Sequence, residues 1–309
     1  MVLVGTTASG KSDAAFAAAC ELAGTEIVSV DSMSVYRGLD IATAKPRPEQ
    51  QAVVPHHLID LVDPAEEFTV SMYQASAREV LAEIAGRGET ALLVGGTGLY
   101  VSAVVDDLSL PGRWPEVAAR LESEADEPDG LAMLYARLRR LDPVAAERTT
   151  PMNRRRVLRA LEVTIGSGRP FSSFGPGLEA YPPTDFALLG IPFDPAKVDG
   201  RIQQRFEGWM AEGLLDEVRR LAARPEGLSR TARQALGYRE LLEHVEGGLP
   251  LVEAVDRAIR RTRAFARRQW AWFRRDPRIR WLSPDQDPVE VVRRALEIER
   301  STSGSAVRE

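Results

Sequence analysis

The chain has 309 residues, 44% of them hydrophobic, and a formal net charge of −5, which is enough apolar content for one large domain or two smaller ones. No apolar run approaches the ~18 residues that span a membrane, and the N-terminus lacks the basic region of a signal peptide. Cys20 is the one cysteine, which rules out an internal disulfide and predicts a cytoplasmic protein; the net negative charge argues weakly against a nucleic-acid partner, but the distribution of charge, above all the arginine clusters, matters more than the sum.

A short apolar run, Val2 to Val4, leads into Gly5-Thr6-Thr7-Ala8-Ser9-Gly10-Lys11-Ser12. The stretch fits G-x-x-x-x-G-K-[ST], the phosphate-binding P-loop. Such a loop aims backbone N–H groups at an anion. Lys11 supplies a point charge, and the Ser12 hydroxyl a ligand for Mg²⁺. The Ala-rich stretch from Asp13 to Leu22 predicts a helix whose N-terminus adds positive dipole character at the same place. Cys20 lies on it and reads as a small core residue. Glu26 to Asp31 predicts a second strand with a carboxylate at its carboxyl end. Ser71 to Arg87 has helical periodicity, and Ala91 to Gly96 predicts a third strand ending in glycines. Strands alternating with helices imply a parallel sheet with helices on its faces. Ligands in such sheets bind at the carboxyl ends of the strands, so Gly5, Asp31 and Gly95 are expected on one rim.

The pattern changes near Pro111-Gly112. Helical patterns follow at Val117 to Glu124, Leu131 to Leu141 and Asn153 to Thr164, with no strand candidate among them. A Gly- and Pro-rich stretch then runs to Pro183, and a strand returns at Asp185 to Ile191. Long helices are predicted over Val198 to Ala223, Arg233 to Glu246 and Leu251 to Arg275, and the polar tail from Ser301 to Glu309 is expected to fray. The fold class is therefore α/β: a P-loop NTPase-like parallel sheet flanked by helices, built from residues 1–112 and 184–309, with an all-helical insertion over residues 113–183.

Asp31 stands in "VDSMSVYRGLDIATAKP". Beside a P-loop, a rim carboxylate helps hold Mg²⁺, accepts a proton from a nucleophile, or caps the next turn. "GGTGLY", Gly95 to Tyr100, is a second glycine-rich rim loop; its glycines permit close approach of a ligand, and the Thr97 hydroxyl can donate to an oxygen. NTPases usually end an apolar strand in Asp to help hold Mg²⁺, whereas this strand ends in Gly95-Gly96. A motor or GTPase is disfavoured. The residues leave a small-molecule kinase, a transferase with phosphate as its leaving group, or a non-catalytic RNA-binding protein. His56 and His57 lack companions at metal-ligand spacing and read as structural. The stretch "RRTRAFARRQWAWFRR", Arg260 to Arg275, interleaves arginines with aromatics, which suits RNA contact and stacking together with packing on the core, and the tryptophans are expected to be mostly buried.

The segments "GTTASGKS", "VDSMSVYRGLDIATAKP", "HHLIDLVDP", "LLVGGTGLY", "NRRRVLRALEV", "RIQQRF", "ALGYRE" and "TRAFARRQWAWFRR" occur in this order. Together they resemble the tRNA dimethylallyltransferases (tRNA isopentenyltransferases) over nearly the whole chain, and the absence of a zinc-finger spacing resembles the bacterial form. The resemblance implies transfer of a dimethylallyl group from dimethylallyl diphosphate to N6 of the adenosine at tRNA position 37, with Mg²⁺ as cofactor. It implies Asp31 as general base, Thr97 beside the reacting atoms, and Arg205 on the diphosphate with Arg201 one turn earlier. The diphosphate would lie on Gly5, Thr6, Thr7, Ala8, Ser9, Gly10, Lys11 and Ser12, with Mg²⁺ on Ser12. The anticodon arm of tRNA would touch Asp31, Ser32, Met33, Ser34 and Thr97, and position 118. On the insertion it would touch Arg155, Arg156, Val157, Leu158 and Arg159, and on the core Gln234, Ala235, Leu236, Gly237, Tyr238 and Arg239. The protein is expected to act as a monomer away from membranes. Four positions depart from the family pattern: Thr6 for the usual Pro, Ser34 for Gln, Ala42 for Gly, and Ala118 for a tRNA-contacting Arg, with Arg120 nearby.

Overall fold

The computed structural model describes residues 1–306. The chain forms two compact units, one of residues 1–106 together with the chain from Tyr181 onward, the other Asp107–Ala180. In the first unit the order is β1 (Val2–Val4), α1 (Lys11–Glu21), β2 (Thr25–Val30), α2 (Pro48–Val53), β3 (His56–His57), α3 (Val70–Gly86), β4 (Thr90–Gly95) and α4 (Gly98–Val105). In the second unit α5 (Pro115–Asp126), α6 (Gly130–Leu141), α7 (Pro143–Glu147) and α8 (Arg154–Ser167) follow, with a 3-10 turn at Phe171–Phe174. The first unit resumes with β5 (Leu188–Gly190), α9 (Pro195–Glu212), α10 (Leu214–Ala222), α11 (Tyr238–Gly247), α12 (Leu251–Phe273), β6 (Arg280–Trp281) and α13 (Pro288–Ala306).

The six strands form one sheet in the order β3-β2-β4-β1-β5-β6, and every pairing is parallel. A parallel sheet needs both faces covered, so its strands are apolar on both sides. Alternation then sends Val2, Val4, Val28, Val30, Leu93 and Leu188 into one core with α3, α4 and α10 to α12. Leu3, Ile27, Leu92, Val94 and Leu189 enter the other core, under α1 and α13. The edge histidines serve structure: His57 Nε2 lies 2.5 Å from Glu26 Oε2, which also takes the Arg87 guanidinium at 2.8 Å. Those contacts hold the Glu26 carboxyl below its ordinary range despite the opposing effect of burial.

The insertion has its own core of Leu121, Leu134, Leu138, Val157 and Leu161. Asn153 starts α8, its side chain accepting the Arg156 N–H at 3.2 Å, a cap worth about 1 kcal/mol. Buried Asp142 accepts the Ala145 N–H at 3.0 Å and, through its other oxygen, the Ser172 N–H at 2.8 Å, tying α7 to the 3-10 turn.

Several local expectations change. The helix expected from Val198 to Ala223 is two, because Gly213 at φ +99 ends α9 and lets α10 set off in a new direction. The one expected from Arg233 starts at Tyr238, after a short 3-10 turn at Ala232–Gln234. Cys20 is exposed: Ala14, Ala15, Ala18 and Ala19 form the inward face of α1, and Cys20 falls outside that stripe. Helix α13 continues past Ser301 to Ala306, and the last three residues of the tail lie outside those described.

At the centre of the sheet, a Cβ on Gly95 would overlap the Val30 backbone carbonyl. Exposed Gly208, inside α9, has open space around it. Gly95→Ala should therefore destabilise by about 2–3 kcal/mol, the upper range for overpacking against atoms that cannot move aside. Gly208→Ala should stabilise by about 0.5–1 kcal/mol, the helix penalty of glycine. Chemical denaturation of the two variants checks both signs.

Candidate active site

The P-loop is built by the step from β1 into α1. β1 is only three residues long and fully buried, so the loop begins directly at the sheet edge. Ala8 is buried and packs with Val198, Ile202 and Phe206 of α9, which fixes the outer wall of the loop. Lys11 Nζ donates to the Thr6 carbonyl at 3.2 Å. Burial pushes the Lys11 ammonium down to about 8, against the pull of Asp31 and with the push of Arg205. Three charged side chains from α1, the end of β2 and α9 thus act on one point.

α9 brings both of its arginines to the loop. Arg201 donates to the Ala8 carbonyl at 3.3 Å and the Ser9 carbonyl at 3.0 Å. Arg205, one turn on, is half-buried and has no hydrogen bond or ion pair among the described residues. Burial holds its guanidinium below its ordinary value, against the pull of Asp13 and with the push of Arg201. A half-buried cation whose fork no carboxylate holds suits an anionic ligand.

Asp31 follows β2 and starts a turn. Its Oδ1 accepts the Met33 N–H at 2.7 Å and the Ser34 N–H at 3.3 Å. Its Oδ2 takes no hydrogen bond among the described residues. One oxygen therefore serves the turn while the other keeps its lone pairs. Thr97 Oγ1 accepts the Ser32 N–H at 3.3 Å, joining the two rim loops. Ser34 is buried, shares a hydrogen bond with Ser29 Oγ at 3.0 Å and donates to the Asp31 carbonyl at 3.4 Å. Gly5, Asp31 and Gly95 do lie together, since Val4 pairs with Gly95 and Gly95 with Val30 at the ends of their strands.

The glycines of the second rim loop serve the chain's own packing. A Cβ on Gly96 would strike Gln269 Nε2, and one on Gly98 would lie 2.5 Å from the Trp272 ring. Gln269, on α12, is 7% exposed. It accepts the Thr7 N–H at 2.8 Å and donates to the Gly96 carbonyl at 2.8 Å. Sequence reasoning missed this residue. The signal was available: Ala258, Thr262, Ala266, Gln269 and Phe273 form the inward stripe of α12, and a long polar side chain in such a stripe demands partners. The aromatics of α12 also pack inward. Trp270 meets Trp281 edge-on at 4.7 Å and stacks on Phe193 at 6.0 Å, so both tryptophans of the helix are half-buried rather than fully buried.

The segments expected to touch tRNA divide by exposure. Arg155 and Arg156 are exposed on α8, whereas Val157 and Leu158 are buried in the core of the insertion. Arg159 donates to the Pro111 carbonyl at 2.9 Å and the Gly112 carbonyl at 3.0 Å and pairs with Glu162 at 2.8 Å, so its guanidinium anchors the chain entering the insertion. Ala118 is half-buried on α5, and Arg120 pairs with Glu124 at 3.7 Å. Gln234 and Arg239 are exposed and Leu236 is half-buried, while Ala235, Gly237 and Tyr238 are buried. The Tyr238 hydroxyl donates to Glu217 Oε1 at 2.6 Å and accepts the Ala42 N–H at 3.2 Å. The side chains of Val157, Leu158, Ala235 and Tyr238 are thus turned into the protein's own packing.

A family model described as IPP transferase matches residues 34–276. A tRNA dimethylallyltransferase of Kineococcus radiotolerans is 45% identical over 305 residues, covering 96% of this chain and 95% of that one. Another, of Pseudarthrobacter chlorophenolicus, is 44% identical and covers 96% of each chain. Among solved structures, a tRNA isopentenylpyrophosphate transferase from Bacillus halodurans superposes with a TM-score of 0.68 at 35% identity, over 98% of both chains. A eukaryotic dimethylallyltransferase captured acting on tRNA superposes with a TM-score of 0.74 at 26% identity, over 91% of this chain and 72% of that one. Family match, identity over nearly the full length and shared fold agree with a rim that carries a P-loop but no acidic residue at the end of β4, and this chain belongs to the IPP transferase family of tRNA dimethylallyltransferases.

Proposed function

We propose that the protein transfers a dimethylallyl group from dimethylallyl diphosphate to N6 of the adenosine at tRNA position 37, next to the anticodon, and releases diphosphate. The observation that carries this reading is the Asp31 carboxylate on the rim that holds the P-loop: its Oδ1 is spent on its own turn, and its Oδ2 has no hydrogen-bond partner among the described residues. The exocyclic amine attacks the allylic carbon, a C–N bond forms, and the C–O bond to diphosphate breaks. The N6 proton passes to Asp31 Oδ2, and the electron pair leaves on the diphosphate oxygen. Backbone N–H groups of the P-loop, Lys11 and Arg205 meet the charge that develops there, where fixed donors act without reorganising. Adenosine must leave its stack to reach the rim.

The donor set fits a divalent ion. The Ser12 hydroxyl has no hydrogen-bond partner, and no group of three His, Cys, Asp or Glu able to hold a metal occurs, among the described residues. Mg²⁺ is commonly held by few protein oxygens, with water and substrate phosphates completing its shell. Ser12 would be its protein ligand, and when bound the ion would neutralise charge on the departing diphosphate. For tRNA, exposed Arg155 and Arg156 are suited to phosphate contacts by the insertion; on the core Gln234 is exposed, and Arg239 would have to leave Glu243, which it meets at 3.3 Å, to take a phosphate. No helix among the described residues is long and apolar enough to cross a membrane.

The reading is tested by product. Mass spectrometry of nucleosides from treated tRNA should show a dimethylallyl adduct on adenosine, dependent on Mg²⁺ and on the allyl diphosphate. A phosphorylated acceptor formed from ATP, with nothing from the allyl donor, would replace it with a kinase. Asp31→Asn keeps an oxygen for the Met33 and Ser34 N–H groups and loses the proton acceptor. It should bind tRNA normally and transfer about 10²–10⁴ times more slowly; single-turnover rates within threefold of wild type would remove Asp31 from the chemistry. Arg155→Ala with Arg156→Ala should lower the slope of log affinity against log salt by roughly 0.7–0.9 per lost contact. Dimethylallyl diphosphate binding should stay unchanged, and an unaltered salt slope would leave both arginines as a solvated face.

A further inference from the structure

Within the first unit, the phosphate loop and the loop bearing Thr97 belong to different strand ends, and their only described polar bridge is the side chain of Gln269. Its carboxamide has one orientation available. Thr7 offers an N–H and Gly96 a carbonyl, so Oε1 must face the first and Nε2 the second, each at 2.8 Å. The group is 7% exposed, so water cannot readily replace either bond. Gly96 leaves room for it only by lacking a Cβ, which would strike Gln269 Nε2 and lie 3.0 Å from the Gly5 carbonyl. The next residue, Thr97, accepts the Ser32 N–H beside Asp31. A continuous path of contacts therefore runs from Thr7 through Gln269, Gly96 and Thr97 to the turn of Asp31. The bond to Thr7 also takes one P-loop N–H out of use for an anion, which leaves the cradle to the remaining amides and the start of α1.

We propose that Gln269 is a positioning residue that sets the distance between the diphosphate cradle and the Asp31–Thr97 side of the rim. This rests on the prenyl-transfer reading above. The allylic carbon is carried by the diphosphate, while the amine is deprotonated by Asp31. Their separation therefore follows the separation of the two loops. Reacting atoms must stand about 3–3.5 Å apart, and an error of 1 Å costs on the order of 10²-fold in rate. A bridge that controls this distance affects the chemical step more than the affinity for either substrate.

The experiment is single-turnover transfer with saturating tRNA and dimethylallyl diphosphate, together with the KM of each substrate. Gln269→Met keeps the length of the side chain and removes both hydrogen bonds. The transfer rate should fall about 10–100-fold, with both KM values within about threefold of wild type. Gly96→Ala, which displaces the Gln269 amide by its Cβ, should give a similar loss. The two together should lose no more than the worse single variant, because they break one bridge. Thermal unfolding and tRNA binding of each variant show that it is folded. A rate within threefold of wild type, accompanied only by a lower Tm, overturns the proposal, as does a raised KM for the diphosphate with an unchanged rate. Fully additive losses overturn the shared bridge. Wild-type protein that transfers no dimethylallyl group defeats the prenyl-transfer reading itself, and this proposal with it.

Discussion

Val4, Gly95 and Val30 stand side by side at the carboxyl ends of β1, β4 and β2, and the chemistry of the rim depends on that register. The P-loop leaves the sheet after Val4, the Thr97 loop after Gly95, and the Asp31 turn after Val30. Shifting any of the three strands by one residue would exchange its two faces, moving Val4 out of one core and Leu3 out of the other. The hydrophobic sandwich thus sets the level at which the three loops emerge. Gly95 is the tightest point of the arrangement, because a side chain there would overlap the Val30 carbonyl.

Above that sheet edge, buried polar groups do the fine placement. Glu217 accepts the Asp40 N–H at 3.1 Å, the Ile41 N–H at 3.2 Å and the Tyr238 hydroxyl at 2.6 Å. Lys45 donates to the Tyr36 carbonyl at 2.6 Å and to Asp40 Oδ1 at 2.7 Å. Both side chains act on the segment that follows the Asp31 turn. Buried charges are costly without partners, and here each has several, so the segment has few alternatives. Gln269 plays the neutral counterpart of this role between the P-loop and the Thr97 loop. α12, which bears it, therefore joins the core as much as it offers a basic surface.

The arginines sort by what they already hold. Arg154 spans Glu122 and Asp126, each at 2.7 Å, and Arg278 spans Asp106 and Asp276, also at 2.7 Å. An arginine whose fork is taken by a carboxylate must break that pair before it can take a phosphate. Arg155, Arg156 and Arg205 have no such commitment among the described residues, and they face tasks of different kinds. The first two are exposed and suited to a polyanion that stays in water. Arg205 is half-buried beside the P-loop, where a bound phosphate would be desolvated and a cation would act more strongly on it.

Much was legible in the order of residues. The P-loop is a local motif, the strand ends are marked by Asp31 and by Gly95-Gly96, and the helical periods of α3, α6 and α8 appear in their spacing. The combined motifs were enough to indicate the family. The roles of individual side chains were less legible, because they depend on which neighbour arrives from far along the chain. Val157 and Leu158 look like part of an arginine-rich contact segment until α5 and α6 cover them. Cys20 looks internal until the alanine stripe of α1 takes the inward side. β3 and β6 are two-residue edge strands, too short to leave a pattern and defined only by the strands they join. Gln269 lies more than 170 residues from Gly96 and 260 from Thr7. Sequence by itself determined the strand ends and the phosphate loop, since both are set by neighbouring residues; only tertiary structure decided which side chain spans them, since a hydrogen bond forms where packing brings donor to acceptor.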